Sequence, residues 1–295
     1  LSPVNGYVVD FRQDLVDNNI GEIDRVNNWG NYIIIRSDFG FFVEISHIMQ
    51  NSIPVHVGEY IQANTIIAKC GNSGYSPEPH IHIQVQELGF IGSFTKEFIF
   101  SEYMKNEQLL LNTLPKKDEL IRSVINDRSI SSRFLFILDD TFKYEVLKDD
   151  KIIDEVEFKV KMNELSEFYL NDKDDNKLYF YNDLKQFYFY NYTGNNSYLK
   201  QLFILAPRIP FINNQKTDFK DCLPVYLLKT KLQSIYIELI STLNKEFYKQ
   251  TKEYSFDGHT ISSEFGEVSI EPLNKGFIKI KYDNIILRRI LWKEL

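Results

Sequence analysis

The sequence predicts a mainly β protein with two domains, on three observations. Short runs rich in β-branched and aromatic residues recur along most of the chain, separated by turns that contain Gly, Asn or Asp. With 23 Phe and 18 Tyr but only 13 Gly and 9 Pro, the composition favours packed strands and argues against disorder. At 295 residues the chain is too long for one small core. We therefore expect a β domain at residues 1–98, a linker with a helix at 99–130, and a β-rich accessory domain at 131–295.

The first domain is predicted to consist of strands joined by tight turns. Runs such as Asp38-Phe39-Gly40 and Gly71-Asn72-Ser73-Gly74 favour chain reversal. Asp17-Asn18-Asn19 lacks the ligand spacing of a calcium loop and predicts a plain turn. Strands are expected at 4–11, 32–35, 41–45, 55–57, 65–69 and 80–87.

The second domain is predicted to be an antiparallel β-sandwich with one long helix. Its strands are expected at 134–137, 144–147, 156–160, 178–181, 187–192 and between 260 and 291. The long helix is expected near 225–248, where charged residues interrupt an apolar run at helical intervals. A polar helix is expected at Lys116–Asn126 in the linker. The aromatic run Phe187–Tyr192 either packs as strand filling, which we favour, or stacks against sugars.

Charge and composition disfavour several classes of function. The formal net charge is −7, and Lys and Arg are interspersed with Asp and Glu, which disfavours nucleic-acid binding. No apolar run in the chain is long enough to cross a bilayer. Cys70 and Cys222 lie far apart and form no metal-ligand pair, so each is expected to be a small buried residue, and a disulfide between them has no support.

Histidine is rare in this chain, and two of the five histidines form an H-x-H pair. His80 and His82 stand in an alternating run, so their side chains are expected on one face of a strand, about 7 Å apart. Such a pair suits one ring that binds a metal and a second that reaches the bound water, although surface histidines on an edge strand show the same spacing. His56 is expected to be an exposed strand residue, and His259 a solvated turn residue.

The segments around these histidines resemble the lysostaphin/LytM-type zinc metallopeptidases, metallopeptidase family 23. Residues 71–84 are similar to the closing motif of that family, a G-x-[ST]-G turn followed by P-H-[LI]-H on a strand. Glu44–Ile48 is similar to its [YS]-x-H-[LI] segment, which marks His47. Three further segments match its strands and turn in the family's order, namely 2–9, 30–35 and 53–68. The resemblance covers nearly all of residues 1–87.

The resemblance implies a fold and a role for each site residue. The expected fold is the lysostaphin-type antiparallel β-sheet, a duplicated hybrid motif similar to a barrel-sandwich, followed by the β-rich domain. His82 is expected to ligate Zn²⁺ through one imidazole nitrogen. His80 is expected to be the base that takes a proton from metal-bound water, and His47 is expected to approach the same water or the developing oxyanion.

The two remaining zinc ligands of the family come from an H-x-x-x-D segment that precedes the strand beginning here at Ser2-Pro3. The resemblance therefore places both ligands upstream of Leu1. Asp10 and Asp14 are four residues apart but have no histidine with them, and we interpret them as loop carboxylates. Because the chain opens on Leu1 and not on Met, we expect the upstream segment to exist in a longer protein.

Three functions remain open from the sequence. The leading hypothesis is a zinc metalloendopeptidase that hydrolyses peptide cross-links of bacterial peptidoglycan in the cell envelope. The alternative is a metal-free, inactive relative that binds peptidoglycan or regulates another hydrolase. A biotinyl carrier or a sugar-permease phosphocarrier is the third, on fold analogy alone. Similar peptidase domains are sometimes fused behind a membrane transporter of the urea-channel type, and this chain is compatible with that arrangement.

Overall fold

A computed structural model describes residues 1–183, 185–212, 216–242, 248 and 250–291. Two compact units are present, Leu1–Ile99 and a second unit that begins at Phe100. The strands of the first unit are β1 (Gly6–Arg12), β2 (Asn31–Ser37), β3 (Phe42–Ile48), β4 (Tyr60–Ile61), β5 (His82–Gln86) and β6 (Thr95–Lys96).

The elements of the second unit are again mostly strands. Its strands are β7 (Phe100–Lys105), β8 (Gln108–Thr113), β9 (Thr141–Lys148), β10 (Lys151–Met162), β11 (Phe168–Asn171), β12 (Lys177–Asn182), β13 (Gln186–Thr193), β14 (Arg208–Pro210), β15 (Thr217–Leu223), β16 (Gln250–Phe256), β17 (Thr260–Ser263), β18 (Gly266–Ser269), β19 (Lys279–Tyr282) and β20 (Ile285–Arg289). Its helices are α1 (Arg128–Arg133), α2 (Tyr198–Leu205), α3 (Val225–Leu228) and α4 (Lys231–Ser241). The mainly β class predicted from the sequence is confirmed.

The first unit is built on one antiparallel sheet with the strand order β4-β1-β2-β3-β5-β6. Ile33, Ile34 and Ile35 on β2 are all fully buried, so this inner strand is covered on both faces. Its apolar core is formed by Val8, Ile33, Ile35, Val43, Ile45, Ile48, Ile53, Val55, Ile61 and Ile67. The chain segments that carry the histidine motifs lie side by side, because β3 pairs with β5.

The second unit contains one continuous sheet of fourteen described strands, in the order β14-β13-β12-β11-β10-β9-β20-β19-β18-β17-β16-β15-β8-β7. The pairing of β15 with β8 is parallel. Helix α2 is nearly all apolar, and Leu199, Leu202 and Leu205 are fully buried. It contacts β12 and β13 from one half of the strand order and β17, β18 and β19 from the other. A single sheet that bends around α2 therefore takes the place of the predicted two-sheet sandwich.

Of the segment expected to be a linker at 99–130, all but Ile99 belongs to the second unit. The hairpin β7–β8 joins the sheet through the pairing of β8 with β15. The helix predicted at Lys116–Asn126 is wrong. Arg122 instead exchanges two backbone hydrogen bonds with Met104, both of 2.9 Å, and Asn126 forms a bridge with Ile212. Non-local pairing with strand backbone has replaced the local helical hydrogen bonds.

The long helix predicted near 225–248 is divided into α3 and α4. Lys229 has the extended φ and ψ of −121° and 156°, which ends α3. Thr230 and Gln233 then form a capping box that starts α4. Residues 243–247 and 249, near the end of the predicted helix, lie outside the described residues. No helix in the described part of the chain is long and apolar enough to cross a bilayer.

The aromatic run in β13 packs largely as strand filling, and Tyr192 is also buried because the register of β12 against β13 skips Tyr190. Phe187 and Phe189 are buried in the core of the second unit, whereas Tyr190 on the opposite face is exposed. The prediction of buried cysteines is wrong, since Cys70 and Cys222 are both exposed free thiols. Each cysteine stands at a position that faces solvent. Alternate side chains of an extended segment point to opposite faces, so the position and not the residue type decides exposure.

Candidate active site

Three histidines predicted to act together lie together in the first unit. The His47 ring centroid is 4.7 Å from that of His80 and 6.2 Å from that of His82. The sheet produces this proximity, because β3 pairs with β5 so that Ser46 stands opposite His82. His47 is buried, His82 is half-buried and His80 is exposed. The arrangement is open to solvent at His80 and closed at His47.

His47 occupies a β-bulge in β3. The register of β2 against β3 skips this residue, with the pairs Asn31–Ile48 and Tyr32–Ser46 on either side. Its φ of 62° is in the left-handed region, which is unfavourable for a residue with a Cβ atom. Its N–H donates to the Trp29 carbonyl at 3.2 Å and its carbonyl accepts from the Gly71 N–H at 3.0 Å. Bulges redirect side chains away from the regular alternation, and they are common beside active sites.

The buried side of His47 determines which of its nitrogens carries the proton. Nδ1 lies 2.8 Å from the Ser73 carbonyl oxygen, which can only accept, so Nδ1 donates and Nε2 keeps its lone pair. Burial lowers the pKa of His47 below its ordinary value, and the neighbouring His80 and His82 lower it further. A neutral ring with a free Nε2 can accept a proton.

The loop that supplies the Ser73 carbonyl is held by a close approach of two glycines. Gly30 and Gly74 both have positive φ, 64° and 81°. A Cβ on Gly74 would lie 2.3 Å from the Gly30 nitrogen, and one on Gly30 would lie 2.4 Å from the Ser73 oxygen. Glycine is required at both positions, since no side chain fits between the two backbones. Ser73 itself is fully buried and its Oγ donates to the Ile48 carbonyl at 2.8 Å.

Asp17 and Asn18 hold the same loop from the other side. The Asp17 carboxylate accepts from the backbone N–H of Asn72 and from that of Gln50. Asn18 donates from its side chain to the Gly74 carbonyl at 2.7 Å. The plain turn predicted at Asp17-Asn18-Asn19 is present only at its end, where the Glu22 N–H donates to the Asn19 carbonyl at 3.0 Å, whereas Asp17 and Asn18 bind the loop.

His80 has the same proton arrangement as His47. Its Nδ1 lies 2.8 Å from the Glu78 carbonyl oxygen and 3.0 Å from Ser76 Oγ. A carbonyl only accepts, so Nδ1 is the donor and Nε2 is the nitrogen with the lone pair. Ser76 is fully buried and also donates toward Asn72 Oδ1 at 2.7 Å. Two of the three rings thus present a basic Nε2.

His82 is held by a different contact. Its Nε2 lies 3.1 Å from Gln84 Oε1, a side chain on the same face of β5. The Trp29 ring packs edge-on against His82 at a centroid distance of 5.4 Å. An amide oxygen only accepts, so Nε2 of His82 carries the proton and Nδ1 holds the lone pair.

The donor set fits the part of a zinc site that the resemblance assigns to this chain. Imidazole nitrogens with free lone pairs are good zinc ligands, and His82 offers Nδ1. A catalytic zinc needs three protein ligands. Among the described residues, no group of three or more His, Cys, Asp or Glu side chains is arranged to hold a metal ion. Of the three histidines, His82 is the one to which the resemblance assigns a ligand role.

Several residues of the site were not identified from the sequence. Asp17, Asn18, Ser73, Ser76 and Gln84 support the three histidines, yet each is a common polar type with no diagnostic spacing. Gln84 could have been found, because period two places it on the face of His80 and His82. His56 and His259 are exposed and lie outside the cluster.

By fold and site, the first unit is an antiparallel β domain that carries an H-x-H histidine cluster. Residues 7–92 match the sequence model of Peptidase family M23. The matched segment lies within the first unit. No curated protein sequence matches the chain.

Three solved structures show a limited similarity to the chain. A catalytic-domain mutant of the prophage-encoded M23 protein EnpA from Enterococcus faecalis is 17% identical over 32% of this chain, with a TM-score of 0.25, and the match spans 62% of that protein. The solution structure of lysostaphin is 14% identical, with coverage of 60% and 68% of the two chains and a TM-score of 0.24. The antimicrobial peptidase lysostaphin from Staphylococcus simulans is 16% identical, with coverage of 57% and 75% and a TM-score of 0.20.

Proposed function

We propose that the first unit is the catalytic unit of a zinc metalloendopeptidase that hydrolyses peptide cross-links of peptidoglycan in the bacterial cell envelope. One observation carries this proposal: the rings of His47, His80 and His82 converge, and one nitrogen of each ring contacts an oxygen that can only accept a hydrogen bond. The M23 match of residues 7–92 supports the reaction class.

The three rings take different roles in this reaction. Zinc, when bound, polarises the scissile carbonyl and makes water acidic. His82 would contribute Nδ1 as one ligand, and the H-x-x-x-D segment of the family would supply the two further ligands. Nε2 of His80 takes a proton from the attacking water and returns it to the leaving amine. The His47 ring lies 4.7 Å from that of His80, and its Nε2 would share the proton or stabilise the charge that develops on the carbonyl oxygen. Burial keeps His47 neutral, so it is ready to accept.

Zinc content and peptide release, measured together, test this proposal. We compare the 295-residue chain with a chain extended by the H-x-x-x-D segment. The first is expected to hold zinc weakly, and the second at one ion per chain. In the extended chain, His80→Ala should lower peptide release from purified peptidoglycan by about 10²–10⁴-fold and retain zinc. His82→Ala should lose both, because it removes a ligand.

His56→Ala is the matched control, since His56 is an exposed histidine of the same unit outside the cluster. It should retain zinc and activity. Zinc that stays bound in His82→Ala would contradict the ligand assignment. If the extended chain binds peptidoglycan without releasing peptides, the protein is a binding or regulatory module and not a peptidase.

A further inference from the structure

We propose that Gln84 and Gln86 are positioning residues that fix the proton of His82 on Nε2 and so reserve Nδ1 for a metal ion. The inference rests on the proposed function for the role of His82, but the hydrogen bonds that carry it are independent of that role. Glu44 reinforces the same arrangement from the neighbouring strand.

The three side chains form a ladder along one face of β5. His82, Gln84 and Gln86 are two residues apart, so they project to the same side of the strand. His82 Nε2 is 3.1 Å from Gln84 Oε1, and Gln84 Nε2 is 2.8 Å from Gln86 Oε1. Gln84 and Gln86 are both buried. A buried amide ladder of this kind is constrained, because each unsatisfied group would be costly.

The orientation of both amide groups in this ladder is determined at its Gln86 end. Gln86 Nε2 lies 2.7 Å from the Leu88 carbonyl oxygen and 3.0 Å from that of Phe90. Carbonyl oxygens only accept, so the Gln86 amide nitrogen must face them and Oε1 must face Gln84. Gln84 must then present its nitrogen to Gln86 and its oxygen to His82. Two backbone carbonyls therefore decide, through two amides, that Nε2 of His82 is the protonated nitrogen.

Glu44 provides a second constraint on Gln84. It stands opposite Gln84 in the pairing of β3 with β5, and it is fully buried. Its Oε2 accepts from Gln84 Nε2 at 3.1 Å, and its Oε1 accepts from Ser46 Oγ at 2.8 Å. If the Gln84 amide were reversed, its oxygen would face Glu44 Oε2 with no donor between them, and Oε2 would keep only the longer contact with the Gly92 N–H at 3.4 Å. The carboxyl group thus favours the same orientation as Gln86.

This arrangement matters because a metal binds the ring nitrogen that lacks a proton. The hydrogen bond on the other nitrogen selects the tautomer and the orientation of the ring. Loss of such a partner commonly weakens metal affinity by about 10–100-fold.

Ring nitrogen NMR of the metal-free 295-residue chain, labelled with ¹⁵N-histidine, tests the inference directly. Five histidines give five ring patterns, and His82→Gln identifies the signals of His82. In the wild type, Nε2 of His82 should show the shift of a protonated nitrogen and Nδ1 that of an unprotonated one. Gln84→Leu and Gln86→Leu should shift both signals toward a mixture of tautomers. In the extended chain they should weaken zinc affinity by about 10–100-fold.

Gln62→Leu is the control, because Gln62 is exposed and belongs to the same unit. It should leave the ring signals unchanged. If the wild-type chain carried the proton of His82 on Nδ1, the inference would be overturned. This measurement needs no variant, so it remains decisive even if Gln84→Leu fails to fold. Unchanged tautomer and zinc affinity in both ladder variants would also overturn it while the peptidase proposal survived. If instead the ladder variants change the tautomer but the extended chain neither binds zinc nor cuts peptidoglycan, the proposed function fails and the ladder stands.

Discussion

At the scale of single residues, the site combines buried polar groups with one strained backbone position. Glu44 is a fully buried carboxyl group that receives hydrogen bonds from Ser46, Gln84 and, at 3.4 Å, the Gly92 N–H. His47 holds a left-handed conformation at a bulge. Both features cost folding free energy, because a buried carboxyl group loses its hydration and a positive φ strains a residue that has a Cβ atom. Their concentration around one cluster is what a functional site would show.

Burial raises the pKa of Glu44 above its ordinary value, against the hydrogen bonds from Ser46 and Gly92 that lower it. A group with a raised pKa contributes stability that is fully present below the unfolded-state pKa and is lost as pH rises through the folded-state pKa. The free energy of unfolding of the first unit should therefore fall as pH rises above about 4.5. In Glu44→Gln, the free energy of unfolding should change less with pH over this range. Urea unfolding at a series of pH values measures it, with exposed Glu59→Gln as control. An unchanged slope in Glu44→Gln would contradict the assignment.

At the scale of elements, the loop at 71–76 connects the strands to the histidines. Its backbone supplies the Ser73 carbonyl to His47, and its Ser76 side chain contacts His80. The loop has little regular structure of its own, so its position depends on the Gly30–Gly74 approach, on the hydrogen bond that Asp17 accepts from the Asn72 N–H, and on the one that Asn18 donates to the Gly74 carbonyl. Sequence patterns predict the turn, but they do not show which backbone it packs against.

Gly74→Ala should displace this loop. The new Cβ would meet the Gly30 nitrogen at 2.3 Å and would also force alanine to a φ of 81°. Gly58→Ala is a matched control, because Gly58 has a φ of 86° with no atom within 4 Å of the added Cβ. Gly58→Ala should cost about 1–2 kcal/mol for backbone conformation alone. Gly74→Ala should cost more and should shift the His47 ring nitrogen signals. Equal unfolding temperatures for the two variants would contradict the proposed close approach.

At the scale of the whole molecule, two units of different architecture share one chain. The first has a six-stranded sheet and a site, and the second has a long sheet that bends around an apolar helix. We propose that the units are separate folding domains, each with its own hydrophobic core. The boundary then lies near Ile99 and not in a linker that extends to residue 130.

Limited trypsin digestion tests this boundary. Lys116 and Lys117 are exposed in a segment without regular structure, so trypsin should cut there first. The two fragments should separate on a denaturing gel but elute together from a sizing column. They should stay associated because β8 remains paired with β15 across the cut. Fragments that separate under native conditions would show that β7 and β8 belong to a linker after all.

The sequence by itself determined the features that arise from local patterns. Period-two alternation and turn residues identified a mainly β chain, and the H-x-H spacing placed His80 and His82 on one face. The long helix was anticipated only in part, because the capping box at Thr230 divides it and its end is outside the described residues.

Only the tertiary structure decided which distant segments meet. The bulge at His47 and the pairing of β3 with β5 arise from strand register, and the packing of the 71–76 loop supplies the Ser73 carbonyl that keeps the proton on Nδ1 of His47. The linker helix failed for the same reason, since Arg122 gained backbone hydrogen bonds from Met104. Local propensity differences amount to tenths of a kcal/mol per residue, roughly, and non-local burial and hydrogen bonding outweigh them.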